Sequence, residues 1–118
     1  MKKISAWLGA LAILGSVCFV ARAAEEDKTL KGEPIDITCY LKGQSGAGHA
    51  ACAAGCAKKG QPLGLLVEEE GKKQVYLMLG FDKDAIAEHM GKQVNVAGKV
   101  ADKDGLKVIT VKEVKPAA

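Results

Sequence analysis

Gly91–Val114 reads GKQVNVAGKVADKDGLKVITVKEV, and its patterning decides the fold class. Val94, Val96, Gly98 and Val100 alternate with Asn95, Ala97 and Lys99. That is the period-2 signature of a strand with one face toward a core. Asp102–Gly105 supplies the Asp and Gly of a tight turn. Leu106–Val114 is rich in β-branched residues and reads as the return strand. A register irregularity is expected at Val108–Ile109.

Upstream of this hairpin, Asp82–Met90 (DKDAIAEHM) reads as a short helix with Asp82 as N-cap and Gly91 as its stop. Pro62–Val67 and Gln74–Leu79 read as two strands joined by the polar turn Glu68–Lys73. His49–Lys59 reads as a short Ala-rich helix stopped by Gly60, with Lys58 and Lys59 at its negative dipole end. Gly55 inside it is expected to mark close packing against the sheet. Ile35–Leu41 reads as the first strand. Ile35, Ile37, Cys39 and Leu41 share its apolar face, with Asp36, Thr38 and Tyr40 opposite. Pro34 suits a strand entrance, where a missing N–H spoils only one ladder bond.

The order is strand, extra helix, strand, strand, helix, strand, strand. Five strands with a helix between the third and fourth resemble the OB-fold, a five-stranded Greek-key barrel. The resemblance covers Ile35–Val114. Gly91–Val114 in particular is similar to the final hairpin of small secreted bacterial OB-fold proteins. It implies a mainly β domain and a binding or scaffold role more often than catalysis; the extra short helix after the first strand is read from the residues themselves. The insertion carrying His49, Cys52 and Cys56 departs from the plain pattern.

Residues 1–23 read as a secretory signal peptide. Lys2 and Lys3 give a positive start, Ile4–Val20 is apolar, and Ala21-Arg22-Ala23 is a small-x-small cleavage site. The expected location is therefore periplasmic or secreted, with no membrane insertion after cleavage. Cys18 is discarded with the signal. Residues 24–32 (AEEDKTLKG) are charged and lack apolar periodicity, so they read as a flexible leader before an OB-like domain at 33–115. Removing Lys2, Lys3 and Arg22 from the 17 basic residues leaves 14, against 14 acidic ones. A neutral mature chain offers no electrostatic surface for nucleic acid. With Tyr40 and Tyr76 the only tyrosines, it also offers no aromatic platform for bases.

The chemistry is expected in Cys39–Cys56, CYLKGQSGAGHAACAAGC. Beyond Cys18 and His89, its Cys39, His49, Cys52 and Cys56 are all the Cys and His in the chain. On a helix, His49, Cys52 and Cys56 fall within an arc of roughly 60°. Cys39 is placed to add a fourth donor from the adjoining strand. Three thiolates and an imidazole suit copper first and zinc second. The CxxxC element is similar to the paired thiolates of copper-delivery proteins and binuclear copper electron carriers, which have other folds. The expected function is to hold or deliver such an ion, with a periplasmic protein as a further partner.

Two alternatives stay open. A disulfide from Cys39 to Cys52 or Cys56 would leave one spare thiol in a non-catalytic OB-fold interaction module. Thiol redox chemistry is the other, although the usual C-x-x-C is absent. The Gly-rich loop Lys42–Gly48 matches no phosphate-loop spacing and reads as a flexible turn and gate. Met78 and Met90 read as core, His89 as a surface or capping residue, and Glu68–Glu70 as a solvated turn.

Overall fold

The computed structural model describes residues 25–117. The signal segment 1–23 lies outside the described residues. Strands β1 (Glu26–Asp36), β2 (Leu63–Glu69), β3 (Lys72–Leu79), β4 (Val94–Lys103) and β5 (Leu106–Pro116) close into one barrel in the order β1-β2-β3-β5-β4. β3 pairs with β5 in parallel, and all other pairs are antiparallel. Helices α1 (Ile37–Tyr40) and α2 (Ala50–Lys58) lie between β1 and β2, and α3 (Lys83–Ala87) lies between β3 and β4. This is the mainly β, OB-fold-like barrel the strand order predicts. Among the described residues no helix is long and apolar enough to cross a membrane.

Both hairpins turn where expected. Glu70-Gly71 and Asp104-Gly105 lie at positive φ, the pattern of a type I′ turn, whose twist matches that of the flanking strands. The inward residues Leu63, Leu65, Val67, Tyr76, Met78, Val94, Val96 and Ile109 fill the barrel, and Ile86 and Met90 plug it from α3 and the turn after it. Met78 and Met90 are thus core, and Glu68–Glu70 is solvent-exposed.

Several local expectations are corrected. Residues read as a flexible leader form the first half of β1, with Glu26–Gly32 paired to Val100–Val94 of β4. The charge pattern misleads here because this half of the strand buries Leu30 and Gly32 while Glu26–Thr29 and Lys31 face solvent. Backbone pairing and a surface contact such as Lys112 Nζ–Asp27 Oδ1 at 2.8 Å hold it in place. The barrel domain accordingly begins before residue 33.

The strand expected at Ile35–Leu41 ends at Asp36. There β1 has already changed partner, from β4 to Glu33–Asp36 against Leu66–Leu63 of β2. Asp36 stops the extended chain because its side chain accepts the Cys39 N–H at 3.0 Å, an N-cap that turns Ile37–Tyr40 into helix. Pro34 therefore sits inside the strand, near the start of its pairing with β2, and its carbonyl accepts the Gly91 N–H at 3.3 Å.

The register irregularity is also elsewhere. Ala97 pairs with Glu113 but Gly98 with Val111, so Lys112 is the extra residue on β5. The bulge re-aims Lys112, which makes the ion pair to Asp27.

The α3 N-cap is as expected, Asp82 Oδ1 accepting from Asp84 and Ala85 N–H at 2.9 Å each. α2 presents Ala53 and Ala57 to the core, and their small side chains let it sit close to the barrel. Gly55 faces open space rather than the sheet. Gly91 fixes the other side of α2. It lies at φ +74°, and a Cβ there would come within 2.7 Å of the Gly46 carbonyl oxygen and 2.8 Å of the Ala50 Cβ. Only glycine meets both demands.

Candidate metal centre

Three donor groups converge where β1 hands over to α1 and the last turn of α2 passes. A carboxylate oxygen of Asp36 and the sulfurs of Cys39 and Cys56 all lie within 4.8 Å of one another. Asp36 is only 2% exposed, whereas Cys39 and Cys56 are half-buried. Around a tetrahedral ion with bonds of about 2.2 Å, donors stand about 3.6 Å apart. Drawing the three onto one ion therefore requires each pair to approach by about 1.2 Å at most.

Each donor is placed by backbone chemistry. The Asp36 side chain is committed to the N-cap of α1, which brings Cys39 back over it within one turn. The Cys39 carbonyl then accepts from Lys42 N–H at 3.0 Å and Gln44 N–H at 3.1 Å, closing the following loop on the same turn. Cys56 is held by the end of α2. Gly60 N–H donates to the Ala57 carbonyl at 3.0 Å and Gln61 N–H to the Cys56 carbonyl at 3.2 Å. These are the two bonds of a Schellman motif, with Gly60 at φ +82°.

The electrostatics of the cluster are anionic. None of the ion pairs among the described residues includes Asp36. The Cys56 thiol is pushed up to about 11. The largest cause is its hydrogen bond to the Asp36 carboxylate, followed by burial, the Asp36 charge and the neighbouring thiols Cys52 and Cys39. At neutral pH a proton on Cys56 thus does the work of a cation beside a buried carboxylate. A metal ion can replace that proton. The shift runs opposite to that of a nucleophilic cysteine, whose thiolate is favoured.

The sequence-predicted residues separate into two groups. Cys39 and Cys56 meet, although Cys39 arrives from a helical turn rather than a strand. Cys52, one turn before Cys56 on α2, is exposed and lies outside the three-donor group. His49 also lies outside it. It precedes α2 and lines a narrow crevice with Glu33, Asp36, Gly46, Ala53 and Gly91. Its Nε2 is buried without a hydrogen-bond partner among the described residues. The loop Lys42–Gly48 spends N–H groups on the elements before it, Gly43 on the Tyr40 carbonyl of α1 and Gly46 on the Glu33 carboxylate of β1, so it is tethered to β1.

Asp36 is the donor that the sequence reading passed over, as an outward residue of an alternating strand. Its signal was present. An Asp directly before a short apolar run is an N-cap signature, and the N-cap brings the residue three positions on, here Cys39, back over it. Comparison with family models, with curated proteins and with solved structures finds no match to this chain.

Proposed function

We propose that this protein holds or passes on a transition-metal ion, copper first and zinc second, at Asp36, Cys39 and Cys56, in a periplasmic or secreted setting. The observation that carries this reading is the convergence of two thiols on a carboxylate that is 2% exposed and has no basic partner among the described residues. A buried charge of that kind is costly unless it is paired or coordinated. Paired thiolates favour copper(I) and are also good zinc ligands. His49, with its unpartnered Nε2, and Cys52, one turn along α2, are the residues at hand to complete a four-donor shell. Titration of the reduced protein with copper(I) or zinc(II) against a competing chelator tests this. Stoichiometric uptake that Cys39→Ser and Cys56→Ser each abolish is the expected result.

A second reading has its own support. The Cys39 and Cys56 sulfurs are near enough for a small movement to join them as a disulfide, leaving Cys52 as the spare thiol of an interaction module. A thiol count on protein purified without reductant separates the two. Two thiols, those of Cys39 and Cys56, released by a chelator mean an ion, and the same two released only by reductant mean a disulfide. Thiol oxidoreductase chemistry has the least support, because Cys56 is held protonated rather than activated.

A further inference from the structure

Asp36 is the one oxygen donor among the three converging groups, and it is already fixed. Its Oδ1 accepts the Cys39 N–H at 3.0 Å, which locks the carboxylate beside both sulfurs whether or not an ion is bound. The two classes of ion the thiols attract use such an oxygen differently. Univalent copper is soft, and thiolates satisfy it. Divalent zinc is borderline, takes carboxylate oxygen readily and wants four donors. Charge acts in the same direction. Two thiolates and a carboxylate sum to −3, which a divalent ion offsets better than a univalent one in a half-buried site.

We infer that Asp36 is the specificity-determining residue of the cluster, the donor that admits zinc(II) to a thiolate pair otherwise suited to copper(I). This rests on the metal-holding reading above. Asp36 has a second duty as the N-cap of α1, so the test must separate coordination from folding. Asn and Ser are both good N-caps that carry no charge, and they preserve the turn that places Cys39.

The experiment measures zinc(II) and copper(I) affinities separately, by chelator competition, on the reduced wild-type protein, Asp36→Asn and Asp36→Ser. Circular dichroism and melting temperature check the fold of each. The wild type is expected to take both ions. In both variants zinc affinity should fall by about tenfold or more, the scale of losses seen when a supporting group of a metal site is removed. Copper(I) affinity should stay within about threefold, so the zinc-to-copper ratio moves. A ratio that stays constant, because both affinities fall together or neither changes, overturns the inference while leaving the metal site standing. A wild-type protein that takes only one of the two ions also overturns it. A wild-type protein that takes neither overturns the functional reading itself.

Discussion

Replacing Gly91 by Ala tests how α2, and Cys56 with it, is held against the barrel. Two costs are separable. The first is conformational, because Gly91 sits at φ +74°, and an L-residue in the left-handed region costs roughly 1–2 kcal/mol. The second is steric. The new Cβ would stand 2.7 Å from the Gly46 carbonyl oxygen and 2.8 Å from the Ala50 Cβ. Neither neighbour is the free end of a flexible chain. One is backbone in a loop pinned to Glu33, and the other is the first residue of α2. Relief therefore requires moving the helix or the loop, at the roughly 1–3 kcal/mol typical of overpacking.

Gly71→Ala is the matched control. Gly71 has φ +76° and faces open space, so only the first cost applies. Urea unfolding of both variants should show Gly91→Ala less stable than Gly71→Ala by about 1–3 kcal/mol. At about 4–8 °C per kcal/mol for a domain of this size, that is a gap in melting temperature of roughly 4–24 °C. Equal destabilisation of the two variants would refute the claim that Gly91 fixes the approach of α2.

Two further outcomes follow from the candidate site and one from the N-terminal segment. Cys39→Ser and Cys56→Ser should each abolish stoichiometric metal uptake, whereas Cys52→Ser should retain most of it; titration with copper(I) checks this, and equal loss in all three would place Cys52 inside the shell. The ion-free protein should lose stability as pH rises from about 9 to 11, because the Cys56 thiol binds its proton more tightly folded than unfolded. That contribution is fully present below pH 9 and gone once pH passes through the folded value, so thermal melts should show a decline that Cys56→Ser removes. The exported protein should have an intact mass lacking about 23 residues by the rules of signal cleavage; full-length protein in the inner membrane would remove the periplasmic reading.

The barrel was legible in the sequence because its inward residues carry it. The alternation in Val94–Val100, the polar turns and Asp82 as a cap all act locally, so local patterns report them. The first half of β1 was not legible, since Glu26–Thr29 owe their extended form to pairing with β4 and to Lys112 at a bulge 85 residues away from Asp27. The site was half legible. The spacing of Cys and His pointed to the stretch in which Asp36, Cys39 and Cys56 converge, but helical phase alone could not say which donors meet. Tertiary placement turns Cys52 outward, sends His49 into a crevice and brings in Asp36. At Ile35–Tyr40 the alternation of apolar residues competed with an N-cap, and the cap won because Asp36 can satisfy the Cys39 N–H only if the chain turns there.

The arrangement also bears on whether an ion would be part of the fold or cargo. None of Asp36, Cys39 and Cys56 belongs to the apolar cluster that fills the barrel; α2 contributes to it through Ala53 and Ala57 instead. The turn carrying Cys39 is held by the Asp36 cap and by the bond from Ile37 N–H to the Pro62 carbonyl at 3.1 Å. The end of α2 is held by its Schellman bonds. Each donor thus has a backbone reason to be where it is before any ion arrives. Structural zinc domains differ, because there metal binding supplies the folding energy. A site assembled by the protein alone, with both sulfurs half-buried and an exposed thiol one helical turn along from Cys56, has the construction that ligand exchange requires. That construction is why a carrier is the better reading here than a structural ion.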